Sequence, residues 1–294
     1  MANTEVKHIS QPTHGDDRQT LKHIRIQPAT TWFPIDFGEI WAFRDLFAIL
    51  AMRDIKLRYK QTMLGIIWVI LQPLVASLIF AVIFGRIAAL PSDGKPYLLF
   101  IYAGMLPWNL FAGCLQRAGN SLISDAKLIT KVYFPRLIIP IASSAAVLLD
   151  FAVAFVVMIV LLFVYHDQVS VTWNILALPL LLLVVLLISI GVSLFLSALN
   201  VYYRDFMYAL PFVIQVWMYA SPLVYSASMI PDRWRVIYAL NPMAGVIDGF
   251  RWALLGTGEF PLLTMSIAVV MGCLFFIVGA YIFQRVESSF ADVV

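Results

Sequence analysis

The run Ile175-Leu-Ala-Leu-Pro-Leu-Leu-Leu-Leu-Val-Val-Leu-Leu-Ile-Ser-Ile-Gly-Val-Ser-Leu-Phe-Leu-Ser-Ala-Leu199 carries no charged residue. A helix crosses the hydrocarbon of a bilayer with about 20 mostly apolar residues, whereas a tilted barrel strand needs about 9–11. In lipid every backbone polar group must be satisfied within the spanning unit, which leaves helices and closed barrels. A run this long, without apolar/polar alternation, selects the helix. It predicts an all-α, polytopic membrane protein.

Working outward, the same pattern recurs. A first span is predicted over Ile66 to Phe84, a second over about Tyr97 to Leu115, and a third from after Pro135-Arg136 to Tyr165. Beyond the run at 175–199, a fifth covers about Phe206 to Tyr225 and a sixth Leu262 to Phe283, giving six transmembrane helices. Composition agrees: 62% of residues are hydrophobic and 13% charged, with a mean hydropathy of +0.88. Soluble chains are roughly 45–50% apolar and 25% charged.

Lys and Arg set the orientation, because cytoplasmic flanks carry the excess. With six spans, fifteen of the 20 basic residues fall on one side, nine of them before Ile66 and four at Arg117, Lys127, Lys131 and Arg136. Both termini are therefore expected in the cytoplasm. The organisation expected is a flexible tail over 1–35, an amphipathic interface helix over 36–62 and a permease domain over 63–294. Within 38–60, Ile40, Phe43, Phe47 and Leu50 share one helical face and Arg53, Lys56 and Lys60 roughly the other, as a helix at the membrane surface would. Asp54 falls on the apolar side.

Site chemistry is mostly absent. The one Gly-Lys pair, Gly94-Lys95, precedes a proline and lacks the upstream glycine of a phosphate-binding P-loop. His8, His14, His23 and His166 form no cluster, and Cys114 and Cys273 are too far apart to suggest a metal pair or disulfide framework. No catalytic or metal-binding residues are predicted. Asp150, inside the third span, is either an ion relay or a carboxylate hydrogen-bonded to a neighbouring helix.

Three connections carry more information. Between the second and third spans, Asn120 or Ser121 is placed to cap a short helix, Asp125 near its positive end, with Leu128 and Ile129 exposed among charges and Pro135 as a stop. Such an element suits docking to another protein. Between the fifth and sixth spans, Ser221-Pro-Leu-Val-Tyr225 and the segment 240–252 contain Pro242, the pair Gly245 and Gly249, and Asp248 with Arg251 at i,i+3. Short re-entrant gate helices fit that pattern. Aromatics such as Trp68, Tyr102, Trp108, Trp217, Tyr219 and Tyr225 suit either an interfacial belt or the wall of a sugar conduit.

Leu57-Arg-Tyr-Lys-Gln-Thr-Met-Leu-Gly-Ile-Ile-Trp68 with Leu71-Gln-Pro73, Tyr133-Phe-Pro-Arg136, Asn200-Val-Tyr-Tyr-Arg-Asp-Phe206, Ser221-Pro-Leu-Val-Tyr225 and Asn241-Pro-Met occur in this order. Together they resemble the signatures of type 2 ABC exporter permeases of polysaccharides and polyol phosphates, over about residues 35 to 294. The resemblance implies a homodimer with two copies of an ABC ATPase subunit, and ATP and Mg bound on that partner, with no cofactor in this chain. The cargo it implies is an undecaprenyl-pyrophosphate-linked polysaccharide, O-antigen first, crossing the cell inner membrane between the two permease copies.

By the same resemblance, Ser121, Asp125, Lys127, Leu128, Lys131, Tyr133, Arg204 and Asp205 receive the push of the ATPase. Separately from the resemblance, the basic residues Arg53, Lys56, Arg58 and Lys60 are expected to guide the lipid carrier by their charge near anionic headgroups or a lipid pyrophosphate. Trp68, Tyr102, Trp108, Trp217, Tyr219 and Tyr225 become channel candidates, and Pro242, Gly245, Asp248, Gly249 and Arg251 the gate. Membrane lipids surround the protein and no nucleic acid is expected. The competing classes are an ion-coupled secondary transporter, which predicts paired intramembrane charges and inverted repeats, and a membrane-embedded lipid-linked sugar transferase.

Overall fold

The computed structural model describes residues 37–60, 65–169, 172–203, 205–287 and 290. The tail 1–35, Arg204 and the Lys60 side chain lie outside the described residues. No strand occurs among those described, in line with the all-α expectation. Helices are α1 Phe37–Ala42, α2 Arg44–Lys60, α3 Gly65–Phe80, α4 Tyr97–Ser124, α5 Ala126–Ile129 and α6 Ile138–Val164. They continue as α7 Leu178–Tyr202, α8 Asp205–Tyr219, α9 Arg235–Ala239, α10 Pro242–Leu255 and α11 Leu262–Glu287.

Five segments among the described residues are long and apolar enough to cross a membrane: Ile66–Ile87, Tyr97–Ser124, Ile138–Val164, Trp173–Tyr202 and Leu262–Glu287. The first is α3 extended by π-helical turns over Ala81–Ile87. The fifth apolar run is shorter as a helix than its sequence suggests. α8 has 15 residues, about 22 Å at 1.5 Å per residue, and from Ala220 the chain turns instead of continuing to Tyr225. Asn241 holds that turn, its Nδ2 donating to Ala220 O (3.1 Å) and Ser221 Oγ (2.9 Å).

α4 is the innermost helix. It is the least apolar of the five long segments and the most buried, because small and polar residues are tolerated where other helices cover them. α4 packs against α6, α7 and α10, and α7 against α11. Phe100, Phe111, Val185, Ile188, Met243, Ile247 and Phe250 form the main core. A second core, with Leu50, Leu122, Ile129, Ile138 and Phe283, sits where α2 lies on α6.

α10 has 14 residues, nearly all buried, so it is a core helix covered on every side, with Asp248 and Arg251 as its charged residues. Its start and stop are legible: Asn241 caps it by accepting from the Met243 N–H (3.1 Å), Pro242 follows the cap, and Gly256 closes it in the left-handed conformation at φ 64°. Gly245 and Gly249 let α10 approach α11. A Cβ at Gly245 would overlap the Thr264 backbone, and one at Gly249 would lie 2.5 Å from Met265 Cε.

Candidate functional site

The first span's approach, α2, is tied to the rest of the protein by charge. Arg53 is paired with Asp125 (2.6 Å) and with its neighbour Asp54 (2.8 Å). This accounts for Asp54 on the otherwise apolar side. The hydrogen bond to Asp125 is the main force raising the Arg53 guanidinium still further above its ordinary value, against burial, which lowers it. One turn on, Arg58 pairs with Asp150 (2.7 Å) and Tyr59 Oη donates to the same carboxylate (2.6 Å). Asp150 therefore has partners on a neighbouring helix, which is what a buried carboxylate needs. Of the four basic residues expected to guide a lipid carrier, Arg53 and Arg58 are held in these pairs, and Lys56 is exposed.

The segment after α4 differs from its expectation. α4 runs on through Asn120 and Ser121 to Ser124, and both side chains bond back into their own helix, to Gln116 O (2.8 Å) and Ala118 O (2.7 Å). Neither caps a separate helix. The break comes at Asp125, whose carboxylate is taken by Arg53, and only the single turn α5 follows. Ile129 is buried and Leu128 half-buried in the second core, instead of exposed. The exposed surface includes Lys127, Thr130, Lys131, Val132 and Tyr133. Asp205, at the first turn of α8, is exposed as well.

The signature segments around this end are structural ties. Asn200 on α7 donates to Gly119 O (2.7 Å) and to Asn120 Oδ1 (3.1 Å) on α4. Arg136 bonds the Glu287 carbonyl, and its own N–H donates to the Glu287 carboxylate (2.9 Å), joining the start of α6 to the end of α11.

At the other end of α4, Arg251 is 2% exposed. Its guanidinium donates to Leu223 O (2.7 Å), Phe100 O (3.2 Å) and Tyr225 O (3.4 Å), lies 3.6 Å over the Phe100 ring and pairs with Asp248 at 3.7 Å. Asp248 also accepts from Tyr238 Oη (2.9 Å). The i,i+3 pair read in the sequence thus forms, as the centre of a clasp joining α4, α10 and the turn 220–225. Tyr97 Oη reaches the Val224 carbonyl in the same turn. Phe100 and Asp125 are 25 residues apart along α4 and its C-terminal cap, about 37 Å, so the residues expected to form a gate and those expected to meet an ATPase lie at opposite ends.

The six aromatic candidates are not brought together. Tyr102 and Trp108 are packed in the core, Tyr102 with its hydroxyl on Ala154 O (3.0 Å). Trp217 meets Phe111 edge-on at 4.9 Å and donates to Asn241 Oδ1 (3.0 Å). Tyr225 is half-buried, and Trp68 and Tyr219 are exposed on different helices.

A cavity of about 570 Å³ lies instead between α2, α3, α4 and α6, lined by Gln72, Asn109, Gln116, Arg117, Arg58 and Asp150 among others. A second, of about 560 Å³, shares Arg58, Gln116, Arg117 and Asn120 with it and reaches Asp125. With the second span expected to end at about Leu115, Gln116, Arg117 and Asn120 fall in a connection. The available signal was their spacing from Asn109, which places all four on one helical face.

A family model described as ABC-2 type transporter matches residues 45–255. The O-antigen export system permease protein RfbA of Klebsiella pneumoniae is 31% identical over 249 residues, 85% of this chain and 95% of that one. RfbA of Myxococcus xanthus is 29% identical over 72% of this chain and 81% of its own length. The polysialic acid transport protein KpsM of Escherichia coli is 21% identical over 70% and 80%. With a model covering most of its length and a relative of this likeness, the chain belongs to the ABC-2 type transporter family, as a membrane permease related to those of O-antigen export.

Proposed function

We propose that the protein is the membrane-spanning subunit of an ATP-driven exporter that carries a lipid-linked polysaccharide, O-antigen, across the cell inner membrane between two copies of itself. The observation that carries this reading is the likeness to O-antigen export permeases over 85% of the chain. In this reading ATP and Mg are bound by two separate ABC ATPase subunits, and the lack of a P-loop motif in the sequence supports it. Six crossings, with α8 as the fifth and both termini in the cytoplasm, agree with fifteen of the 20 basic residues on one side. On that side α5 and the exposed Lys131 to Tyr133 surface are where a motor subunit pushes. α10 forms the gate toward the other side, and α1 and α2 are the interface helix.

Purification of the tagged chain from its native membrane is expected to bring down a P-loop ATPase. Reconstitution of the pair should give nucleotide-dependent movement of the host's lipid-linked glycan. A pure, stable preparation with neither property overturns the reading.

The Arg53–Asp125 pair links the push to the interface helix. Asp125→Arg is expected to abolish export in an assembled complex that still hydrolyses ATP, and the exchange of both charges, Arg53→Asp with Asp125→Arg, to restore much of it. The stability cost of the single change is modest, about 1–2 kcal/mol, because Arg53 is partly solvent-screened. An export assay with the single and double variants decides it, and unimpaired export by Asp125→Arg removes the link.

A further inference from the structure

Gln72 on α3 and Asn109 and Gln116 on α4 are exposed amides on helices long and apolar enough to cross a membrane. Among the described residues none of the three side-chain amides has a hydrogen-bond partner, and Arg117 beside them has no acid. All four line the 570 Å³ cavity. Asn109 stands about 18 Å from the Tyr97 end of α4 and about 22 Å from the Ser124 end, near the middle of the bilayer. Below it Gly113, Gln116, Arg117, Asn120 and Ser124 continue the same face to the helix end.

An amide facing hydrocarbon without a partner costs several kcal/mol, because lipid offers no hydrogen bonds in place of water. Several such groups on one face, at successive turns, require that the face meet water or a polar ligand. Of the charges nearby, Arg58 is matched by Asp150 and Arg53 by Asp125, which leaves Arg117 as the lining charge without an acid among the described residues, beside a majority of neutral amides. Primary amides offer two donors and an acceptor each. Neighbouring hydroxyls of a sugar ring present the complementary set.

We infer that the polar face of α4, with Gln72 of α3, is a hydrated wall of the glycan path. Asn109, Gln116 and Gln72 bind sugar hydroxyls there in place of the aromatic lining that the sequence suggests. The inference rests on the proposed export function for the identity of the ligand. The hydration of the face stands independently of it. Amides spaced along a helix bind each passing unit weakly, which lets a polymer advance. A wall of large aromatic faces would hold each ring by stacking.

The test uses the full chain with its ATPase partner. In a Cys273→Ser background the buried Cys114 serves as an unreactive control, and Gln72→Cys, Asn109→Cys, Gln116→Cys and Ser124→Cys are made singly. A charged, membrane-impermeant methanethiosulfonate reagent is expected to label all four. Labelling at Ser124→Cys with none at Asn109→Cys overturns the hydrated wall. Asn109→Leu and Gln116→Leu are each expected to lower export on the order of tenfold through lost hydrogen bonds, with assembly and ATPase activity kept and Asn109→Gln near normal. Normal export by the Asn109→Leu, Gln116→Leu double variant overturns the sugar contact. Absence of glycan export by the unsubstituted complex, with Asn109→Cys still labelled, refutes the export function and leaves the hydrated face in place.

Discussion

Arg251→Met is expected to be the most damaging single substitution in the chain, lowering stability by about 3–5 kcal/mol, the usual cost of removing one partner of a buried ion pair. Arg251 holds three carbonyls and a carboxylate, on α4, α10 and the turn 220–225. Methionine fills much of the volume but leaves Asp248 with Tyr238 alone and the Leu223 and Tyr225 carbonyls without this donor. Arg251→Lys is expected to recover little. A single ammonium has three donors at one point, whereas the guanidinium reaches separated acceptors from a rigid fork. Removing the charge on both sides, Arg251→Met with Asp248→Leu, should be less harmful than Arg251→Met alone, since no buried charge then stands unpaired. Thermal midpoints of the detergent-solubilised variants check the order. Equal midpoints for the single and double variants would show that the carbonyl contacts, and not the pair, dominate.

That clasp also marks how far a sequence can be read. The long helices were legible because hydrophobic runs and spanning length obey one rule. The i,i+3 pair Asp248 and Arg251 and the close-packing glycines Gly245 and Gly249 were legible because both ends of each interaction lie within one helix. The partners across the fold were not. Nothing local says that Arg53 meets Asp125, that Arg58 and Tyr59 meet Asp150, or that Asn241 collects Trp217, Ala220 and Ser221, since separations of 20 to 91 residues carry no periodic signal. The missing capped helix after the second span has the same cause. Asn120, Ser121 and Asp125 have the right identities for capping, but Asn200 and Arg53 engage Asn120 and Asp125, and α4 continues to Ser124. The apolar run of that span ends at Leu115, where Gln116-Arg117 begins, so the amide face past it reads as a connection. In a membrane protein the polar turn of a helix signals a covered or hydrated surface as readily as an end.

Gly279→Ala is expected to cost about 3 kcal/mol, the upper part of the range for overpacking, although it adds a single methyl group and improves helix propensity. The reason is the identity of what stands in the way. A Cβ at Gly279 on α11 would overlap the Gly191 carbonyl on α7, and one at Gly191 would overlap the backbone of Phe275 and Phe276. Backbone cannot swing aside as a side chain can, so the two helices must separate along their contact. Membrane helices depend on such close approach, because lipid gives little hydrophobic drive to their association. Gly119→Ala on α4 is the matched comparison. There the new Cβ meets Leu210 Cδ2 at 3.5 Å and Leu196 Cβ at 3.6 Å, ordinary contact distances, and the gain of up to about 1 kcal/mol from replacing glycine in a helix should leave this variant as stable as the parent or more so. The two changes are chemically identical and are expected to have opposite signs. Thermal unfolding of both proteins in the same detergent reads this directly, and a Gly279→Ala midpoint at or above that of Gly119→Ala would mean that α7 and α11 can separate without loss.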